Sequence, residues 1–392
     1  MTERVENDPE TPLATLVLAG RSLADRQLDL ALALGCERIV CLSQGLGKGL
    51  LALQQRAEAA GAKFNLIAGP RPLAGLVSAA DELVVIVEGL VPALPEAKQA
   101  FESGAGVLAL PVEAGIAAGF ERIDLNHAWG GILAMPGRLV ERLTQLPPDC
   151  DTVAALLRIA LQGRVPYRPI SETVLAEKRW ALIRGRKEVA DLEPVWLRRY
   201  MPASTPFAPG RAAARLAMRA NGAKLLAKGW RPLFPAVAGA FIALSGVAAA
   251  WVGQGVIGLL ACGLAWLCAE ASSALAAIAR AGVEDGTPPD RSGNIVGWII
   301  DLALLIVLAL MLSGTWHERI FAPATLLAVA ILCARSVAAK GGELAQDRAI
   351  LAVFLAVSAA AGALLPVIQL LALVLLCVLI FVSRGSSRLT QV

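Results

Sequence analysis

Long apolar stretches separated by short polar loops fill the C-terminal part of the chain. Each stretch is close to the ~20 residues that a helix needs to cross ~30 Å of hydrocarbon. A helix satisfies its backbone hydrogen bonds internally, so such a series of stretches predicts a membrane domain. The six predicted spans are 233–252, 255–279, 295–313, 320–339, 349–365 and 367–383.

The N-terminal part shows a different pattern, in which short apolar runs alternate with segments of helical period. Strands that alternate with helices in this way predict a parallel sheet with helices on both faces. Such sheets bind ligands at the carboxyl ends of their strands. The predicted strands are Thr15–Ala19, Arg38–Leu42, Lys63–Ala68 and Glu82–Val87, and the predicted helices are Leu23–Leu34, Leu50–Ala60 and Leu73–Ala80.

Composition supports a membrane protein with a soluble N-terminal part. Of the 392 residues, 56% are hydrophobic, and the mean hydropathy of +0.62 is that of the membrane class. The seven cysteines form no CxxC pair, which excludes a disulfide framework and a zinc site. The fold class expected is an α/β parallel-sheet domain followed by an all-α six-helix transmembrane domain. The expected divisions are a disordered tail (1–12), the α/β domain (13–195), a basic juxtamembrane segment (196–231) and the membrane domain (232–392).

Charge along the chain predicts the orientation in the membrane. The segment from Trp196 to Arg231 holds eight cations and no acid, which marks a cytoplasmic face and suits anionic phospholipid headgroups. The loops at 280–294 and 335–348 are also basic, whereas the opposite side shows only Arg319. The N-terminus has no apolar signal segment. We therefore expect a multi-pass protein of the inner (cytoplasmic) membrane, with the soluble domain and both termini cytoplasmic.

The order of elements in the N-terminal part resembles that of the sugar-phosphate nucleotidyltransferases. Leu16–Gly20, with the sequence LVLAG, is similar to the first strand and the start of that family's glycine-rich loop, and Arg26–Leu42 is similar to its next helix and strand. The family's long loop wraps a nucleoside triphosphate, but here Gly20 is followed almost directly by a helix. Without those backbone N–H groups the phosphates lose their cradle.

Three polar residues of this domain are candidates for chemistry. The resemblance implies a metal-binding aspartate after the fourth strand, where this chain has Glu88, and Asp124 is a candidate second ligand. Carboxylate oxygens suit Mg²⁺, although an acid at the end of a strand is also a common solvated turn residue. No nucleophile–base set surrounds His127 in the sequence.

The membrane part resembles the CDP-alcohol phosphotransferases, and fusions of the two families occur in inositol-phospholipid synthesis. That family's signature, D-G-x2-A-R followed after eight residues by G-x3-D-x3-D, implies a two-metal site. Ala279-Arg280, Gly297 and Asp301 match parts of it. The leading Asp-Gly pair and the final Asp are replaced by other residues, and the intervening segment is longer. Asp301 is therefore the candidate ligand for Mg²⁺ or Mn²⁺ if the chain is active.

Glu270 and Asp301 are acids inside predicted spans, where ionisable residues are paired or functional. We expect them to pair with Arg280 or Arg335 across helices, or else to form a ligand site. Small residues allow close packing of the spans. These small residues are Gly239, Gly246, Gly258 and Gly263.

Three functions fit these observations. The first is a catalytically degenerate partner or regulator in phospholipid headgroup synthesis of the CDP-alcohol and inositol-phosphate type. The second is an active CDP-alcohol phosphotransferase with a rearranged site, and the third is a membrane-anchored module that binds a nucleotide or a sugar phosphate. The expected partners are the lipid bilayer, anionic phospholipids, and a second copy or a partner membrane enzyme. Nucleic acid is not among them.

Overall fold

A computed structural model of the chain describes residues 3–5, 8–43, 45, 48–201, 208–280, 291–336 and 347–386. The chain divides between Trp196 and Leu197 into two compact units, except that Arg280 groups with the first. All of the described strands belong to the first, here called the α/β unit. The second, here called the helical unit, is built from helices in its described part.

The α/β unit combines short strands and short helices. Its described strands are β1 (Arg4–Val5), β2 (Asp8–Pro12), β3 (Val17–Leu18), β4 (Arg21–Ser22), β5 (Arg38–Leu42), β6 (Lys63–Ile67), β7 (Glu82–Ile86), β8 (Leu90–Val91), β9 (Gly106–Pro111), β10 (His127–Pro136), β11 (Tyr167–Pro169) and β12 (Ala181–Leu182). Its described α-helices are α1 (Leu23–Ala33), α2 (Lys48–Ala59), α3 (Pro70–Leu76), α4 (Leu94–Phe101), α5 (Val112–Ala117), α6 (Thr152–Gln162), α7 (Thr173–Ala176) and α8 (Arg186–Tyr200), the last of which runs past the division between the units.

The largest sheet is mixed rather than parallel. Its strand order is β11–β9–β10–β7, with β10 antiparallel to both β7 and β9 and β11 parallel to β9. The expectation of a wholly parallel sheet is therefore wrong for β10. An antiparallel neighbour needs no long helical crossover, and the α-helix between β9 and β10 is only the six-residue α5.

The predicted elements between residues 23 and 87 are confirmed to within three residues at nearly every end. The strand β5 has the predicted bounds, and α1 ends before Gly35, whose φ of +79° suits the left-handed end of a helix. Strands β5 and β6 form a separate parallel pair. In the described residues, no ladder joins this pair to β7.

The predicted first strand, Thr15–Ala19, is not a strand of the sheet. Leu13–Thr15 form a 3₁₀ turn, and β3 pairs back onto β4 as a tight hairpin. Ala19 and Gly20 have φ values of +49° and +81°, as a two-residue type I′ turn requires. Gly20 therefore lies in a hairpin turn that leads directly into α1.

The helical unit begins with a helix that precedes the apolar ones. The described helices of this unit are α9 (Pro209–Ala227), α10 (Leu233–Trp251), α11 (Gly255–Arg280), α12 (Arg291–Met311), α13 (Trp316–Ser336), α14 (Arg348–Ala360) and α15 (Leu364–Ser386). Three segments are long and apolar enough to cross a membrane: α10, α11 and Leu364–Phe381 of α15. The apolar parts of α12, α13 and α14 are shorter.

Glycines bring α10 and α11 close together, as the sequence predicted. A Cβ atom placed on Gly246 would lie 2.9 Å from the carbonyl oxygen of Gly258, and one on Gly258 would lie 2.6 Å from that of Gly246. Gly239 faces α11 in the same manner. Backbone contact of this kind maximises van der Waals packing between helices in lipid.

A glycine in β10 gives a testable prediction about the sheet. Gly131 has a φ of +86°, and a Cβ atom there would lie 2.8 Å from Cγ1 of Val87. We expect Gly131→Ala to lower the free energy of unfolding by about 2–5 kcal/mol, because left-handed strain and overpacking add. Denaturant titration of the detergent-solubilised protein measures this change.

The matched control is Gly61→Ala. Gly61 has a similar φ of +87°, but no described atom lies within 4 Å of the added Cβ. Only the conformational strain of about 1–2 kcal/mol applies there. Equal losses at the two positions would contradict the packing argument for Gly131.

Candidate functional site

An ion pair joins two helices of the helical unit at the acid that the sequence singled out. Nε of Arg348, in the first turn of α14, lies 2.7 Å from Oδ1 of Asp301 on α12. The side chains are 5% and 16% exposed, respectively. The guanidinium carbon of Arg348 also lies 6.0 Å from the ring centroid of Trp266 on α11, within cation–π range. Arg348 therefore links three helices.

A second pair links the juxtamembrane helix to the apolar helices. Nη2 of Arg211, near the start of α9, lies 3.1 Å from Oε1 of Glu270 on α11. Its Nε lies 3.2 Å from each carboxylate oxygen. The carboxylate thus accepts from two nitrogens of one guanidinium, the geometry that gives arginine–carboxylate pairs their strength.

Asp347 caps two helices with one carboxylate. Its Oδ1 accepts hydrogen bonds from the backbone N–H groups of Ala349 and Ile350 at the start of α14. Its Oδ2 accepts from the N–H groups of Gly210, at 2.7 Å, and Arg211, at 3.2 Å, at the start of α9. Asp347 is 1% exposed. It accepts hydrogen bonds from backbone N–H groups that have no partner within their own helix. Its negative charge also interacts favourably with the positive ends of both helix dipoles.

These contacts form one cluster, here called the polar cluster, at which α9, α11, α12 and α14 are tied together. Three carboxylates are balanced by two guanidinium groups and by roughly half a positive charge at each of the two helix starts. Within the described residues, no group of three or more histidine, cysteine, aspartate or glutamate side chains is arranged to hold a metal ion. The three carboxylates are each engaged by bonds between helices. Its members are Arg211, Glu270, Asp301, Asp347 and Arg348.

The structure gives Asp301 a partner that the sequence analysis did not name. The sequence predicts Arg280 and Arg335 as the partners and places Arg348 in a loop. Arg348 instead lies in the first turn of α14, because Asp347 caps the helix just before it. The side chain of Arg335 lies outside the described residues, and Arg280 ends α11.

The other signature residues of the membrane part are placed as follows. Gly297 lies one turn before Asp301 on α12, and a Cβ atom there would lie 3.9 Å from the Trp266 ring. It therefore lies on the face that carries the polar cluster. Residues 281–290, which contain Asp285 and Gly286, lie outside the described residues.

In the α/β unit, Glu88 anchors the N-terminal segment. Its carboxylate accepts hydrogen bonds from the backbone N–H groups of Glu3, at 3.1 Å, and Ala14, at 3.2 Å. Two oxygens that were candidate metal ligands are thus engaged by the chain itself. The predicted loop glycine, Gly20, lies in the hairpin turn and not beside a phosphate cradle.

A cavity of about 320 Å³ is lined by β5 along its whole length and by residues of β7 and the segment after it. Four carboxylates line it against one guanidinium. Burial raises the pKa of Glu3, and the neighbouring charges of Glu88 and Asp151 raise it further. This electrostatic environment is unfavourable for phosphates. The charged residues of the lining are Glu3, Arg38, Glu88, Glu121 and Asp151.

Asp124 and His127 form a dyad that the sequence analysis missed. The Asp124 carboxylate accepts from the backbone N–H groups of Asn126 and His127 and lies 3.0 Å from Nδ1 of His127. The Asn126 bond first, then those of His127 and Tyr167, lower the pKa of Asp124 to about 2. The D-x-x-H spacing was the available signal. Through these hydrogen bonds, Asp124 stabilises the loop that leads into β10.

Comparison with known proteins adds no family to this picture. No protein-family model matches the chain, and a search of curated proteins finds no significant match.

The Asp301–Arg348 pair gives the second prediction. Removing one partner leaves the other charge buried, so we expect Asp301→Asn alone or Arg348→Gln alone to lower stability by about 3–5 kcal/mol. The double mutant, in which no unpaired charge remains, should lose less stability than either single mutant. Thermal unfolding in a neutral detergent measures all three variants.

An exposed pair serves as the control. Nη2 of Arg186 lies 2.9 Å from Oδ2 of Asp8, with the arginine side chain 68% exposed. Asp8→Asn should change stability by at most about 1 kcal/mol, as is usual for surface pairs. Additive losses for Asp301→Asn and Arg348→Gln would show that the two side chains act independently, contrary to the structure.

Proposed function

We propose that this chain is an integral membrane protein of phospholipid headgroup synthesis, of the CDP-alcohol and inositol-phosphate type, that acts as a catalytically degenerate partner or regulator. The observation that carries the proposal is the pairing of Asp301 with Arg348. In the family that the membrane part resembles, the matching position supplies a carboxylate to the metals. Here the same carboxylate ties α12 to α14.

The chemistry of the reaction supports this interpretation. Divalent cations must bridge the diphosphate of a CDP-alcohol, and they require several carboxylate oxygens. The acids Glu270 and Asp301 each bond to a guanidinium. A fixed positive charge in contact with a carboxylate opposes cation binding at that carboxylate by simple Coulomb repulsion.

The α/β unit supports the same proposal independently. Its hairpin at Gly20 replaces the loop that would wrap a triphosphate, and Glu88 holds the N-terminal segment. The excess of carboxylates in the 320 Å³ cavity repels phosphates. A domain of this kind suits a role in assembly or regulation rather than in nucleotide activation.

The membrane arrangement that we propose has six spans, with the α/β unit and both termini on the cytoplasmic side. The long apolar helices α10 and α11 come first along the chain, the shorter apolar parts of α12, α13 and α14 follow, and the long apolar part of α15 comes last. An even number of spans returns the C-terminus to the side of the N-terminus. The basic loops set that side as cytoplasmic.

The orientation yields the third prediction. A single cysteine near Trp316 should react with an impermeant maleimide added to intact cells, and one near Gly341 should react only after the membrane is opened. The reason is that residues 312–315, between α12 and α13, hold no cation, whereas residues 335–348 hold Arg335, Lys340 and Arg348. Both cysteines are introduced into a protein whose seven native cysteines are replaced by serine, and that cysteine-free protein is the background control. The reverse labelling pattern would refute this orientation.

The degenerate function yields the fourth prediction. Full-length protein in nanodiscs that contain CDP-diacylglycerol, Mn²⁺ and an inositol phosphate should release no CMP above empty nanodiscs. In the source cells, deletion of the chain should alter the abundance of a phospholipid headgroup class. Complementation by wild type and by the neutral pair Asp301→Asn/Arg348→Gln should restore it, because the proposed role needs no carboxylate chemistry at Asp301.

Two outcomes would overturn the proposal. CMP release by the wild type that is absent from the well-folded neutral pair would identify an active CDP-alcohol phosphotransferase with a rearranged site. An unchanged phospholipid composition after deletion would remove the link to headgroup synthesis and favour a membrane-anchored binding module.

A further inference from the structure

The helix α9 presents two chemically different faces. Its inner face packs onto the helical unit: Ala214 is buried, and a Cβ atom on Gly222 would lie 2.6 Å from Cδ1 of Ile278 on α11. Its outer face is exposed and mostly apolar, with a 69% exposed leucine at its centre. The exposed residues of that face are Ala213, Leu216, Ala217, Ala220, Asn221, Lys224, Ala227 and Lys228.

The cations of α9 are divided between these faces. Arg211 bonds to Glu270, and Arg219 donates to the carbonyl oxygen of Met201, so both arginines make bonds within the helical unit. Lys224 and Lys228, at the end of the helix, are exposed, as is Arg231 just beyond it. None of the ion pairs among the described residues involves these last three cations.

An aromatic pair adjoins the exposed cations. The ring of Trp230, which is 46% exposed, lies 6.0 Å from that of Phe234 at the start of α10. Exposed Leu233 and Val237 continue the apolar surface from there onto α10. Tryptophan at the end of an apolar helix is typical of the interface between hydrocarbon and headgroups.

We propose that the outer face of α9 lies in the headgroup layer and that Lys224, Lys228 and Arg231 bind the phosphates of anionic phospholipids. The apolar outer residues would enter the acyl boundary while the cations remain at the phosphate level, as in interfacial amphipathic helices. The occupant is a lipid because the cations continue directly into the apolar surface of α10. A soluble phosphate would not require that apolar surface.

Hydrogen exchange tests this proposal on the full-length protein. In nanodiscs of phosphatidylcholine with phosphatidylglycerol, the amides of α9 should exchange more slowly than in phosphatidylcholine alone. Each cation near an anionic surface should contribute about fivefold, and added salt should weaken the effect. The variant Lys224→Gln/Lys228→Gln/Arg231→Gln should lose the difference between the two lipids.

A control variant removes the same charge elsewhere. Lys63, Arg71 and Lys187 are exposed cations of the α/β unit, and their triple replacement by glutamine should leave the α9 difference intact. Leu216→Glu should speed exchange of α9 in both lipids, because it opposes insertion of the outer face. This second variant tests immersion separately from charge.

Three outcomes would overturn the proposal. Equal α9 exchange of the wild type in the two lipids would remove the anionic-lipid contact. Loss of the lipid effect in the α/β control variant would show that net charge, and not α9, is responsible. Slowing of α9 exchange by inorganic phosphate in phosphatidylcholine nanodiscs would assign the cations to a soluble anion.

Discussion

The described part of the helical unit depends on neutralising three acids away from water. A carboxylate in a low-dielectric site is stable only when hydrogen bonds and opposite charges replace its hydration. Asp347 meets this requirement with four backbone N–H groups from two helices, and Glu270 and Asp301 meet it with arginines. Each of these acids bonds to a group on another helix. The need to pair the acids therefore determines which helices associate.

The same constraint separates a structural use of these acids from a catalytic one. A metal site keeps carboxylates close to one another and lets the cations neutralise them. In the polar cluster, each acid is instead neutralised by a fixed group of the protein. An arginine such as Arg348, 5% exposed, leaves with difficulty, because its own charge would then lose its partner. Our proposal of a degenerate partner rests on this difference: guanidinium groups occupy the acids that metal ions would need.

The elements that local pattern determines could be predicted from the sequence. The helix α1 and the strands β5 and β7 follow from apolar period and from Gly35, and the close glycine contact of α10 with α11 follows from small residues. Asp347 also carried a local signal, since an aspartate directly before an apolar helix is a common N-cap.

The remaining features depend on contacts that are remote in the chain. Asp347 accepts from Gly210, 137 residues away, and no local pattern indicates that contact. The same is true of Arg211 with Glu270. The direction of strands in the sheet could not be predicted from the sequence either. An apolar run such as that of β10 has the same pattern whether the strand pairs parallel or antiparallel with its neighbours. The prediction of a first strand at Thr15–Ala19 is wrong for a local reason that the sequence contains. Gly20 allows a positive φ, and a positive φ favours a hairpin turn.

The polar cluster also determines what α9 can present to its surroundings. Asp347 and Glu270 hold the start of α9, and Gly222 seats its middle on α11. A helix held at these points cannot rotate about its axis without breaking them, so the face that carries Leu216 and Lys224 stays outward. Arg211, at the inner start of the helix, is committed to Glu270, while the lysines near its end remain exposed. Because Glu270 pairs with Arg211, that arginine does not reach the lipid surface, and the exposed cations of α9 that do are Lys224 and Lys228.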